Sequence, residues 1–144
     1  MIPRKAILVG AAVTFVGTLL LIVAFGLAQD PETEPGGAAE ALSWTLGTII
    51  RAVGGYAAAR MSVRTGGRGR VAGAGAIAGA VGYVLFLSLM VMLAALGGDA
   101  AFSLGDVLGL PVWTAQAALG GGFAVVLHRK RITPKAHTST WAYG

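Results

Sequence analysis

Charge changes sign along this chain in step with hydropathy. Of its 11 Lys and Arg residues, ten fall in three clusters: Arg4/Lys5, Arg60/Arg64/Arg68/Arg70 and Arg129/Lys130/Arg131/Lys135. The six acids (Asp30, Glu32, Glu34, Glu40, Asp99 and Asp106) lie outside those clusters, and long apolar runs separate each basic cluster from the next acidic segment. Short cytoplasmic loops of membrane proteins retain Lys and Arg. The order plus, minus, plus, minus, plus predicts four crossings with both termini in the cytoplasm. The expected fold is all-α, an integral membrane four-helix bundle of two transmembrane hairpins, multi-pass in the cytoplasmic membrane.

Composition points the same way. The 144 residues are 56% hydrophobic and 12% charged, with a mean hydropathy of +0.75; a soluble domain carries about 25% charged residues. A net charge of +5 would suit a nucleic-acid binder, but here the basic clusters sit at the ends of apolar runs. Positive-inside bias accounts for them, so no nucleic-acid partner is expected. Arg60, Arg64, Arg68, Arg70, Arg129, Lys130 and Arg131 are read instead as contacts for anionic lipid. The absence of cysteine excludes disulfides, thiolate metal sites and Cys nucleophiles.

The first apolar run, 6–28, is free of charge and more than covers a hydrocarbon core of about 30 Å. It exceeds the apolar stretch of a secretory signal peptide, about 7–15 residues, and reads as a membrane helix. The segment Asp30-Pro31-Glu32-Thr33-Glu34-Pro35-Gly36-Gly37 is an acidic turn that no helix would continue through. Helices are expected over 38–59, 71–96 and 107–128, the last either kinked at Pro111 or preceded by a short interfacial helix. A mobile cytoplasmic tail is expected over 132–144. A weak internal echo links Trp44-Thr45, Gly54-Gly55-Tyr56 and Arg60 with Trp113-Thr114, Gly121-Gly122-Phe123 and Arg129.

Glycine is abundant, at 23 residues, and much of it recurs at helical spacing. Helix two carries Gly47, Arg51, Gly54 and Ala58 on one line, and helix three carries Ala72, Gly75, Gly79 and Gly82. Helix one offers Gly10, Thr14, Gly17 and Ala24. Small residues let helix backbones approach closely, which matters because lipid supplies no hydrophobic drive between helices. Gly47, Gly54, Gly75, Gly79 and Gly82 are therefore expected to be packing positions.

The eleventh basic residue is the exception. Arg51 lies nine residues from Arg60 on helix two, about 13 Å from the cytoplasmic end. A central Arg costs about 2.5–3.5 kcal/mol to insert, and its place on the small-residue line turns it toward other helices. By depth, Thr14 lies level with it, and Thr18, Tyr83 and Gln116 lie about 6 Å higher. These five residues make up the expected intramembrane polar site. The four neighbours offer hydrogen bonds but no countercharge, and Glu40, the nearest acid, is about 16 Å away along the helix. A second copy of the chain would not help, because its acids also lie on the outer side. Three readings stay open: an acid of a partner membrane protein, a lipid phosphate or other anion, or backbone carbonyls and water.

Other chemistry is sparse. His128 and His137 have no Cys, Asp or Glu near them, so no metal site or cofactor is expected. Ser43 and Ser88 lack a base of the triad kind. Gly66-Gly67-Arg68-Gly69-Arg70 follows no strand and reads as a basic loop, not a nucleotide cradle. No enzymatic activity is expected.

Gly54-Gly55-Tyr56-Ala57-Ala58-Ala59-Arg60, Gly69-Arg70, then Gly73, Gly75, Gly79, Gly82 and Tyr83 form a pattern that resembles the uncharacterised four-helix bacterial membrane proteins called YrzE-like, over residues 45–90. The resemblance implies a small cytoplasmic-membrane protein with no catalytic residue to carry over, and it does not account for Arg51. With the residues themselves it leads to an expected role as a non-enzymatic accessory or assembly subunit of a larger membrane complex. The partners would be membrane lipids and another membrane protein. The alternatives are a small oligomeric transporter or channel with an anion or lipid site at Arg51, and a lipid-binding or stress-related membrane protein.

Overall fold

The computed structural model describes residues 2–28, 37–64, 67–97 and 104–132, with the side chains of 104–107 outside that description. Every regular element among them is an α-helix: α1 (Arg4–Ala28), α2 (Gly37–Ser62), α3 (Arg68–Gly97), α4 (Leu104–Leu127) and a single turn, α5 (Arg129–Ile132). The helices begin and end within about one turn of the expected boundaries. α4 runs as one helix from Leu104 through Pro111, so the segment 104–110 belongs to it. The acidic turn at 30–36 and the tail from 133 lie outside the described residues.

Three of the helices, α1, α3 and α4, are long and apolar enough to cross a membrane. Their apolar windows are only 28%, 22% and 28% buried inside the protein, so most of the hydrophobic side chains face outward. Leu20, Leu27, Leu96, Leu119 and Val126 are all well exposed. α2 is as long as its neighbours but carries Glu40, Ser43, Thr45, Thr48 and Arg51, and does not reach the same apolarity.

What lies inside is small. The buried set is led by Ala6, Ala11, Ala58, Ala59, Ala74, Ala78, Ala117 and Ala124, and the largest fully buried side chains are Val71, Thr14 and Ser62. A water-soluble core of this size would bury Leu, Ile and Phe; here backbones touch instead. Close approaches fix the directions of the helices. Gly10 meets Ala58 and Gly17 meets Ile50, so α2 runs back along α1. Gly75 meets Gly121 and Gly79 meets Ala117, so α4 runs back along α3. Gly10 against Ala78 and Gly82 against Thr14 set α1 and α3 side by side in parallel. The basic clusters consequently gather at one end and Glu40 stands at the other.

The tightest contact joins α2 to α4. A Cβ on Gly55 would fall on the carbonyl of Ala117, and a Cβ on Gly120 on the carbonyl of Ala52. The two contacts are reciprocal, each helix giving a glycine three residues after the alanine whose carbonyl it presents. They pair Gly55 with Gly120, whereas the sequence echo aligned Gly54-Gly55 with Gly121-Gly122. At the basic end Ala59, Val63, Val71, Ala124 and Ile132 form an apolar cluster that ties α5 back onto the helices.

Candidate functional site

Arg51 occupies the middle of α2, and its head lies toward the acidic end. Side chains on a helix lean toward its N-terminus, and α2 has no side chain in the way one turn earlier. A Cβ on Gly47 would sit 3.4 Å from both terminal guanidinium nitrogens of Arg51. Gly47 therefore makes room for the cation and does not seat a neighbouring helix.

The guanidinium rests on α4. Arg51 Nη1 donates to Gln116 Oε1 at 2.8 Å, Gln116 Nε2 donates to Thr48 Oγ1 at 2.8 Å, and Thr48 Oγ1 donates to the Trp44 carbonyl at 2.9 Å. Each donor in this relay meets an acceptor, which fixes the Gln116 amide in one orientation. Arg51 Cζ lies 4.0 Å from the centroid of the Trp113 ring. Trp113 is itself held edge-on by Tyr83, with centroids 5.1 Å apart, and by Phe86 at 5.2 Å. A hydrogen bond to a charged group contributes about 1.5–3 kcal/mol, and a cation–π contact about 0.5–2 kcal/mol. Neutral groups thus offset a central Arg's insertion cost of about 2.5–3.5 kcal/mol.

The cradle does not consume the cation. Arg51 Nε is buried without a hydrogen-bond partner among the described residues, and Arg51 forms part of the floor of a groove of about 690 Å³. Glu40, Ser43, Trp44 and Arg51 line the floor from one face of α2, Thr18, Leu21, Ile22 and Phe25 form the α1 wall, and Leu108, Val112 and Trp113 form the α4 wall. Of the described side chains Glu40 is the only acid, and it lies eleven residues before Arg51, about 16 Å along the helix. The groove is therefore apolar-walled, with a carboxylate toward one end and a guanidinium inside.

The expected polar residues separate in space. Gln116 bonds Arg51, Thr18 shares its groove, and Tyr83 packs on Trp113 behind it. Thr14 lies elsewhere, fully buried between Gly54 of α2 and Gly82 of α3. Gly54, Gly75, Gly79 and Gly82 all stand at helix–helix contacts. At the basic end, Arg60, Arg64 and Arg131 line one cleft, while Arg68 and Arg70 begin α3 and Arg129 and Lys130 begin α5, none of these four lining it. Two contributors escaped the sequence reading, Trp113 and Thr48. Their signal was spacing, since each lies three residues before a polar-site residue, Gln116 and Arg51, on the same helix face.

No group of three or more His, Cys, Asp or Glu among the described residues could hold a metal ion. Compared with protein-family models, curated proteins and solved structures, the chain matches none.

Proposed function

We propose that this chain is a non-enzymatic membrane protein with four crossings and both termini in the cytoplasm. In this reading it serves as an accessory or assembly subunit that receives an acid-bearing transmembrane helix of a larger complex. One observation carries the reading: a guanidinium held, among the described residues, only by neutral groups lies in a groove on α2, the long helix that falls short of the apolarity of the other three. An acid arriving between α1 and α4 would meet the guanidinium from the groove, and its helix would cover Trp44. A pair buried this way is strongly weakened when either partner is removed, and the apolar walls offer the packing that holds helices together in lipid. The resemblance to YrzE-like proteins is compatible with this role.

A photoreactive amino acid in place of Leu108, on the α4 wall, tests the role in intact cells. The expected product is one discrete protein adduct that disappears when Arg51→Met is added. Adducts to lipid alone, or an adduct indifferent to Arg51, would contradict the subunit role. The second reading, a small anion or lipid transporter, draws on the volume of the groove, and lipid adducts lost with Arg51→Met would favour it.

Orientation has its own check, made simple by the absence of native cysteine. A cysteine at Thr33 should react with an impermeant reagent on intact cells, and one at Gly66 should react only after lysis. Labelling of position 66 but not 33 on intact cells would reverse the assignment.

A further inference from the structure

α2 and α4 touch most closely at Ala52/Gly55 and Ala117/Gly120, and toward the basic end Ala59 and Ala124 still share the apolar cluster that holds α5. There the Tyr56 hydroxyl stands 3.4 Å from Nε2 of His128, the residue between α4 and α5. Beside this pair, between α2 and the turn into α5, lies a cleft of about 640 Å³. Its wall on α2 is apolar, from Val53, Ala57 and Met61; its rim carries Arg60 from α2, Arg64 from the turn after it and Arg131 from α5. Among the described residues no acid lines it. Residues 53, 57, 60 and 61 share a face of α2 by helical spacing, Arg64 follows in the turn just past its end, and the packing of Ile132 into the apolar cluster brings Arg131 to the same rim.

Three cations around one space repel each other unless an anion lies between them. Arginine suits phosphate in particular, because its planar fork donates two parallel hydrogen bonds to adjacent oxygens. The apolar wall below the rim calls for more than a free ion. We infer that this cleft is a binding site for an anionic phospholipid, with the phosphate among Arg60, Arg64 and Arg131 and an acyl chain along Val53, Ala57 and Met61. Tyr56 and His128 stand at the junction, where the ester oxygens would lie. The site is separate from the groove at Arg51 and requires only that the chain be embedded in a membrane. It also divides the basic clusters, which the sequence alone treats as equivalent: Arg68 and Arg70 carry the same charge but lie outside the cleft.

Native mass spectrometry of the delipidated full chain, titrated separately with dioleoyl phosphatidic acid, phosphatidylglycerol, phosphatidylcholine and inorganic phosphate, tests the inference. One anionic phospholipid should bind per chain in preference to phosphatidylcholine. The triple variant Arg60→Gln, Arg64→Gln, Arg131→Gln should lose at least about tenfold in that affinity, since each basic side chain near a phosphate layer contributes about 1 kcal/mol. The triple variant Arg4→Gln, Arg68→Gln, Arg70→Gln removes equal charge and should stay within about twofold of the parent. Equal losses in both sets would mean diffuse attraction and overturn the site. Complete displacement of the lipid by millimolar inorganic phosphate would assign the rim to a free anion and overturn the lipid. Should the first triple variant not fold, Arg64→Gln and Arg131→Gln carry the test singly. Each is expected to weaken lipid binding several-fold, and silence of both would overturn the inference.

Discussion

Gly120→Leu should abolish the folded protein, and Gly122→Leu, two residues along the same helix, should leave it intact. At Gly120 a Cβ would meet the carbonyl of Ala52 and come within 2.8 Å of the backbone nitrogen of Tyr56. Backbone cannot rotate aside as a side chain can. Overpacking a well-filled contact costs about 1–3 kcal/mol, and more where nothing yields. Because α2 and α4 gain their stability from this close approach, separating them should forfeit the contact as well. At Gly122 nothing lies within 4 Å, and replacing a helical glycine gains about 0.8–1 kcal/mol of helix propensity. Thermal melting in a mild detergent reads the difference. A Tm for Gly122→Leu at or above the parent is expected, with no cooperative transition for Gly120→Leu. Indistinguishable curves would mean that α2 and α4 do not meet here.

Arg51→Met should act in the opposite sense, sparing the isolated chain and disabling association. Methionine keeps much of the apolar stem and removes an insertion cost of about 2.5–3.5 kcal/mol. Against that, Gln116 loses the donor to its Oε1, a loss of about 1–3 kcal/mol. The two nearly cancel, so Tm should be unchanged or raised. A partner acid, by contrast, would be left buried without its cation at a cost of about 3–5 kcal/mol, which lowers affinity by at least about a hundredfold. Arg51→Lys keeps the charge but loses the planar face against Trp113 and the forked donors, so it should restore association only in part.

The helices were legible in the sequence because each apolar run is bounded by charge, glycine or proline, and those signals are local. The small-residue lines were legible too: Gly54, Gly75, Gly79 and Gly82 recur at helical spacing and stand at contacts. Gly47 shares that spacing yet serves Arg51, because periodicity reveals a face and not what lies against it. Gly120, Gly121 and Gly122 run consecutively, so spacing could not separate the two that meet α2 and α3 from the one that meets nothing. Depth counting placed Gln116 about a turn above Arg51. The lean of the Arg51 side chain toward the helix N-terminus closes that gap to a 2.8 Å hydrogen bond. Depth counting likewise grouped Thr14 with Arg51. It counts backbone height alone: Thr14 packs against Gly54 and Gly82, while the Arg51 head leans one turn toward the acidic end, beside Gly47.

Whether Arg51 meets a foreign charge is the central question, and one measurement addresses it directly. Native mass spectrometry on the parent and on Arg51→Met, each extracted gently from its own membrane, weighs what travels with the chain. The account predicts that the parent carries a second membrane protein at fixed stoichiometry, whose bound helix holds an Asp or Glu at the depth of Arg51. It predicts that Arg51→Met appears alone, with its Tm at or above that of the parent. If the two chains carry the same companions, or if neither carries any protein while both fold alike, Arg51 is satisfied by Gln116 and Trp113 alone and the subunit role is wrong.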